Sequence, residues 1–173
     1  VAALAFEGGA VAMIDAWFAS IDAAMLLAVP PEHLAVMKIR QRITSLVEAR
    51  LDALAPHREA LRRALAILAM PQNVATAAKL GWRSADAMWR AAGDTATDYN
   101  HYTKRTMLLG VYAATITVFL DDESDGYVDT KAFLSRRIDN IMQIEKAKAG
   151  FIRRTRHRPS LSRFVGRLRY PVA

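Results

Sequence analysis

The chain has 173 residues, 53% of them hydrophobic, which suffices for one domain with a sizeable core, or one domain and a tail. It contains no cysteine, which excludes disulfides, thiolate zinc sites and thiol catalysis. The net charge of +7 resides in the seven arginines of residues 150–173, because residues 1–149 balance 17 basic against 17 acidic side chains, and this basic end suits an anionic partner.

Helices are predicted throughout, because the chain shows no sustained polar and apolar alternation and no hairpin turn between strand-like runs. The first helix, residues 9–29, carries only Asp15 and Asp22 as charges, and both lie on one face. The rest of its circumference is apolar, which predicts a central, largely buried helix. The two carboxylates argue against a membrane span here, and no other segment reaches the ~20 apolar residues that a bilayer core requires.

Three further helical segments are predicted in the first half of the chain. The second helix covers residues 31–55 and has apolar side chains at helical spacing. The third is short and basic and ends at Pro71. The fourth region, residues 71–92, is expected to be broken at Gly81, with Ser84 as the N-cap of its second part.

The fifth helix combines two kinds of surface. It is expected to begin at Thr97 or Asp98 and to continue to about Leu120. Its body, residues 106–120, is apolar on nearly every side, which is typical of a helix that is buried among others or lines an apolar cavity. An ordinary, filled core is the alternative interpretation.

An acidic segment, residues 121–126, separates the fifth helix from the sixth. It lacks the spacing of an EF-hand loop, so a solvated turn is predicted. The sixth helix is expected to begin at Asp129 or Thr130, with Ile138 and Met142 among the side chains that face inward.

Aromatic and basic side chains share the first turns of the fifth helix. His101, Tyr102 and Arg105 have the composition of a protein-binding hot spot, although a merely solvated helix start fits equally well. Asp98 and His101, one helical turn apart, would be the orienting group and the base of an enzyme. Neither a nucleophile nor a metal-binding spacing accompanies them, which argues against catalysis.

The end of the chain, residues 159–173, predicts a short amphipathic helix. Its apolar side chains recur at i, i+3, i+4 and i+7, and arginines flank this stripe: Leu161, Phe164, Val165 and Leu168, with Arg163 and Arg167. Such a helix lies flat among lipid headgroups, where each basic residue adds about 1 kcal/mol on an anionic surface. Packing against its own core or a second subunit is the alternative, and nucleic acid comes third because no recognition motif is present.

Residues 91–142 resemble the ubiquinone-biosynthesis accessory family, that is, the coenzyme Q biosynthesis protein nine and its bacterial relatives. The family pattern Gly-Asp-x-x-Thr-Asp-Phe-Asn-Trp-Tyr-Thr-basic-Arg is matched from Gly93 to Arg105, with Tyr99 and His101 at the Phe and Trp positions. Gly110 and Tyr112 match the Gly-x-Tyr that comes next in the family pattern. The matches continue after the acidic loop with Asp129, Thr130, Phe133, Leu134, Arg136 and Arg137.

The resemblance implies an all-α, TetR-like helical bundle that is not an enzyme. It implies no cofactor, and an apolar tunnel that holds an isoprenoid quinone or a phospholipid. Lipid contacts are then expected at Met107, Gly110, Val111, Tyr112, Phe119, Ile138 and Met142. Residues 1–152 would form the lipid-binding domain, with most of the N-terminal helix-turn-helix head absent, and residues 153–173 the basic hinge and membrane-binding helix.

The resemblance also implies partners. A homodimer would dock onto a di-iron demethoxyubiquinone hydroxylase through Asp98, His101, Tyr102 and Arg105, although His101 offers less aromatic area than the family's Trp. The C-terminal helix would bind an anionic membrane, on the cytoplasmic side of a bacterial inner membrane or the matrix side of a mitochondrial one, and no nucleic acid is expected. The chain would present a polyprenylated quinone intermediate; the alternatives are a TetR-type ligand-sensing domain without its DNA-binding head and, third, a small-molecule enzyme.

Overall fold

A computed structural model of the chain describes residues 9–95 and 99–156, and every regular element among them is helical. The helices are α1 (Gly9–Ala28), α2 (Pro31–Ala35), α3 (Ile39–Leu54), α4 (Arg58–Leu68), α5 (Val74–Ala91), α6 (Tyr99–Asp121) and α7 (Val128–Arg156). Short 3₁₀ turns at Ala55–His57, Pro71–Asn73 and Asp125–Tyr127 precede α4, α5 and α7. The all-α prediction is therefore confirmed.

Prolines lie at three of the six junctions between these helices, because a proline lacks the N–H that continues a helix and fits its first turn. The predicted second helix, residues 31–55, is wrong in one respect, since it divides into α2 and α3. Lys38 adopts an extended backbone, and its N–H donates to Oε1 of Gln41 at 3.0 Å. This local hydrogen bond satisfies the start of α3 and separates it from α2.

The predicted break at Gly81 is also wrong, because α5 runs through it without interruption. A Cβ built on Gly81 would lie 2.5 Å from Cδ1 of Leu109 on α6. The glycine therefore permits a close approach of α5 and α6. Ser84 is not an N-cap but lies inside α5, with its hydroxyl oxygen 3.3 Å from the carbonyl oxygen of Leu80.

Helix α1 is buried along one face only, which corrects the prediction of a largely buried helix. The buried face packs on α3 and contacts α4 and α5, and it consists of Ile14, Phe18, Ile21, Asp22 and Met25. Within the described residues, α1 has the length and apolar composition of a membrane-crossing helix, contrary to the expectation for this segment. Its two carboxylates pair with arginines of the bundle, Asp15 with Arg83 and Asp22 with Arg50.

The chain divides into two compact units, Val1–Asp139 and Asn140–Ala173, so α7 enters both. In the first unit, fully buried apolar side chains of α1, α3, α5 and α6 form the core, among them Met25, Leu46, Met88 and Leu108. The predicted domain boundary at 152/153 falls within α7, and residues 157–173 beyond that helix lie outside the described residues, so the boundary stays a prediction.

The acidic turn before α7 is not simply solvated, because Asp122 is buried in it. Its carboxylate accepts four hydrogen bonds, from the N–H and hydroxyl groups of Ser124 (2.8 and 2.5 Å) and Thr130 (2.8 and 2.5 Å). Burial alone would raise the pKa of Asp122, but these hydrogen bonds outweigh it and hold the pKa well below its usual range. Asp122 thus ties the turn to the first turn of α7.

We expect Asp122→Asn to lower the free energy of unfolding by about 1–2 kcal/mol at pH 7, because an amide cannot accept all four bonds. The depressed pKa makes this contribution complete above about pH 4, and the contribution falls as the pH drops toward the folded-state pKa. Urea unfolding of both proteins should therefore show a smaller difference at pH 3 than at pH 7. The neighbouring Asp121→Asn, whose exposed carboxylate meets only Arg62, is the control; equal losses in the two variants would contradict the capping role.

Candidate functional site

A cavity of about 430 Å³ lies among the helices of the first unit. Its volume falls within the range of small-molecule pockets, about 300–1,000 Å³. Five helices, α1, α3, α4, α5 and α6, supply its lining, which is mostly apolar: Phe18, Arg50, Leu65, Leu68, Ala69, Val74, Ala77, Leu80, Gly81, Ser84, Leu109, Tyr112, Ala113, Ile116 and Thr117. The structure thus provides an apolar binding volume.

Helices α5 and α6 form the two longest walls of the cavity, each with a single face. On α5, small residues recur at helical spacing, as Ala77, Gly81 and Ser84. On α6, the lining residues are spaced 3, 4, 7 and 8 positions from Leu109. The two walls meet where Leu109 packs against Gly81.

Four polar side chains meet beside this apolar volume, and we call them the Arg50 cluster: Asp22, Arg50, Ser84 and Tyr112. Arg50 is 1% exposed, and its Nε donates to the Tyr112 hydroxyl at 2.6 Å while its Nη1 pairs with Asp22 Oδ1. The Ser84 hydroxyl donates to Asp22 Oδ2 at 3.2 Å. Three of the four residues, all except Asp22, line the cavity.

The charges of the Arg50 cluster balance one another. A buried guanidinium is costly unless a carboxylate pairs with it, and Asp22 supplies that partner. Arg83 lies 3.5 Å from Asp22 through its Nε and pairs with Asp15, which adds a second balanced pair at the edge. Burial raises the pKa of Tyr112, although Arg50 acts to lower it, so its hydroxyl stays protonated at neutral pH.

The lipid-binding residues predicted from the sequence are only partly found here. Tyr112 lines the cavity. Gly110 instead faces open space, so no close approach requires a glycine there, and Phe119 packs on Tyr127 with ring centroids 4.9 Å apart. The remaining predicted residues do not line this cavity either, and their contact with a lipid stays a prediction: Met107, Val111, Ile138 and Met142.

Sequence reasoning missed the contributions of α3, α4 and α5 to the cavity. Two signals in the sequence point to them. One is the spacing of small residues on α5, from Ala77 to Ser84. The other is Arg50. The helical periodicity of α3 places this charged residue on the apolar face, between Val47 and Leu54.

The predicted partner-binding residues separate into an exposed and a buried group. His101 and Tyr102 join Trp82 of α5 in an aromatic patch, with ring centroids 5.1 Å (His101–Tyr102) and 6.0 Å (Trp82–Tyr102) apart. Tyr102 is 61% exposed. Asp98 lies outside the described residues, so neither its docking role nor its pairing with His101 is tested.

Arg105 is buried, which differs from its expected place on a docking surface. Its Nε pairs with Asp86 at 2.6 Å and its Nη1 with Asp94 at 3.0 Å. Lys104 also pairs with Asp94 at 2.7 Å, and its backbone carbonyl accepts from Trp89 Nε1 at 3.0 Å. These bonds, which we call the α6 clamp, fasten the start of α6 to the end of α5 and to the turn that follows it.

Comparison with known proteins shows similarity to the COQ9 family. The COQ9 family model matches residues 74–145, which include α5, α6 and the start of α7. The ubiquinone biosynthesis protein COQ9, mitochondrial, of Rattus norvegicus is 41% identical over 107 residues, 62% of this chain and 34% of that protein. Its Homo sapiens counterpart is 39% identical over the same length and shares. The chain spans about a third of the length of these curated relatives.

A solved structure adds the fold. The TetR transcriptional regulator from Nitrosomonas europaea ATCC 19718 superposes with a TM-score of 0.61 at 25% sequence identity, covering 73% of this chain and 69% of that chain. The TetR-like, all-α bundle predicted from the sequence is therefore confirmed, as is the family resemblance.

Proposed function

We propose that this chain is the lipid-binding module of a non-enzymatic accessory protein of ubiquinone biosynthesis, which the similarity of residues 74–145 to the COQ9 family supports. The names of its relatives assign them to that pathway. On this proposal the module holds a polyprenylated quinone intermediate and presents it to a membrane-associated di-iron hydroxylase. The observation that carries the proposal is the apolar cavity between α4, α5 and α6.

The driving force for such binding is the removal of hydrocarbon from water. Burial favours binding by about 25 cal/mol per Å² of apolar surface, or about 0.8 kcal/mol per methylene. The leucine, isoleucine and phenylalanine side chains of the lining suit a branched, unsaturated tail.

The identity of the bound molecule tests the proposal directly. We expect native mass spectrometry of the chain purified from a ubiquinone-producing bacterium to show a polyprenyl quinone or its precursor, with one molecule per chain. A small polar metabolite in its place would contradict the proposal. It would favour a ligand-sensing regulatory domain, the second candidate, which the likeness to a TetR regulator supports.

We propose that the aromatic patch (Trp82, His101, Tyr102) receives the hydroxylase. An aromatic cluster with an exposed Tyr102 and half-buried Trp82 and His101 has the composition of a binding hot spot. His101 offers less aromatic surface than the Trp of the family pattern, and the neighbouring Trp82 adds aromatic surface to the same patch.

Tyr102→Ala is expected to weaken binding to a demethoxyubiquinone hydroxylase about 10- to 30-fold, equal to about 1.4–2 kcal/mol, because it removes the most exposed ring of the patch. Biolayer interferometry with the immobilised hydroxylase would measure this. Val128→Ala, at a residue that is also 61% exposed, is the control. Equal affinities for the two variants would rule out the patch as the docking surface.

We propose that residues 159–173, which lie outside the described residues, hold the protein on the membrane, on the matrix side in mitochondria. Deleting them is expected to lower binding to vesicles with 30 mol% anionic lipid at least about tenfold, because three arginines and an apolar stripe are lost. Vesicle cosedimentation would measure the loss, and vesicles of neutral lipid alone provide the control. Undiminished binding by the shortened chain would contradict the assignment.

A further inference from the structure

The Arg50 cluster has hydrogen-bond donors that the described residues leave unused. Arg50 uses Nε on Tyr112 and Nη1 on Asp22, and its Nη2 meets no acceptor among the described residues. Tyr112 accepts the bond from Arg50, so its own proton points elsewhere, and none of the side chains or carbonyls that the structure describes accepts it. Both oxygens of Asp22 already have donors, Arg50 on Oδ1 and Ser84 on Oδ2.

These unused donors belong to residues that line the apolar cavity and are themselves buried. Arg50 is 1% exposed and Tyr112 is 6% exposed. A guest in the cavity that supplies an oxygen to these donors gains hydrogen bonds that an all-hydrocarbon guest does not gain. Arg50 also lies over the rings of Phe18 and Tyr112, at 5.7 and 5.3 Å from their centroids, which restricts the guanidinium plane.

The charge balance decides which oxygen is suitable. Arg50 is neutralised by Asp22, and Arg83 by Asp15, so the cluster offers no net positive charge to an anion. A carboxylate or phosphate would lose its hydration on entry without compensation. A carbonyl or aromatic ether oxygen accepts hydrogen bonds at a much smaller cost of desolvation.

We infer that the Arg50 cluster is a specificity site for a neutral, oxygen-bearing headgroup, which accepts hydrogen bonds from Arg50 Nη2 and the Tyr112 hydroxyl. The inference rests on the proposed lipid-binding function. It adds that the headgroup end of the bound lipid lies beside α3. It assigns the choice between lipids to the headgroup, and it leaves the bulk of the affinity to the tail.

Three probes with the same ten-carbon tail test the inference: a decyl-substituted benzoquinone, decylbenzene and decanoate. Calorimetric titration of the full chain, in one detergent below its micellar concentration, should give the quinone an affinity at least about tenfold above that of decylbenzene. Decanoate should bind no more tightly than decylbenzene. The triple variant Asp22→Leu/Arg50→Met/Tyr112→Phe removes these donors together with the Asp22 carboxylate that pairs with Arg50. Its affinities for the quinone and for decylbenzene should differ by no more than about twofold.

The control is Glu59→Leu/Arg63→Met, which makes the same kind of change in an exposed ion pair of α4 outside the cavity lining. This variant should keep the preference for the quinone. Equal affinities of the wild type for quinone and decylbenzene, tighter binding of decanoate, or a preference that survives the triple variant would each overturn the inference while the lipid-binding proposal stands. If the wild type binds none of the probes, the proposed function itself fails and the inference with it.

A second measurement needs no variant. The Arg50 guanidinium resonances in ¹⁵N-labelled wild-type chain are expected to shift when the quinone is added and to stay in place when decylbenzene is added. Identical shifts with both probes would overturn the inference.

Discussion

Replacing Ala113 with tryptophan is expected to lower the affinity for a polyprenyl quinone at least about tenfold, or about 1.4 kcal/mol. Ala113 lies on the cavity face of α6, and an indole there occupies volume that the guest would need. The residue is at the exposed edge of the cavity, so the stability of the fold should change little. Lipid retained per chain, measured by mass spectrometry after purification, gives the readout.

Ala114→Trp is the matched control for this substitution. Ala114 is the next residue of α6, is also exposed and does not line the cavity. It should retain lipid as the unsubstituted chain does. If both tryptophan variants keep their lipid, the guest lies elsewhere, and the assignment of this cavity is wrong.

Arg50→Met is expected to lower the free energy of unfolding by about 3–5 kcal/mol, the largest effect on stability that we predict. The substitution leaves the Asp22 carboxylate buried without its guanidinium partner. Asp22→Leu/Arg50→Met removes both charges and should regain most of that loss, because an apolar pair of similar size needs no partner.

Urea unfolding at pH 7 measures the three proteins on one scale. Arg63→Met, which breaks an exposed pair with Glu59, should change the free energy of unfolding by less than about 1 kcal/mol. A loss for Arg50→Met no larger than that of Arg63→Met would show that the Asp22–Arg50 pair is solvated.

The helices could be predicted from the sequence where local chemistry decides them. Pro30 and Pro31 end α1 regardless of context, because a proline cannot continue the backbone hydrogen bonds. Gly81 could not be placed by the same reasoning. Its role depends on Leu109, which lies 28 residues further along the chain and on another helix.

The candidate site is harder to predict. Helix α6 is apolar on nearly every side, so its sequence pattern does not indicate which face lines the cavity. Of the two helix positions predicted to contact lipid, Tyr112 lines the cavity and Gly110 does not. Arg105 shows the same limit for charged residues. Its composition fits a binding surface, and only the packing of Asp86 and Asp94 around it shows that it is internal.

The α6 clamp makes one rigid rod of the helix start and the cavity wall. Tyr102 and Leu109 are seven residues apart on that rod, on one side of it and separated by about 10 Å along its axis. An enzyme seated over Tyr102 would therefore stand two helical turns from the guest beside Leu109. On the proposed function, an apolar lipid would therefore move from the cavity to the enzyme without crossing bulk solvent.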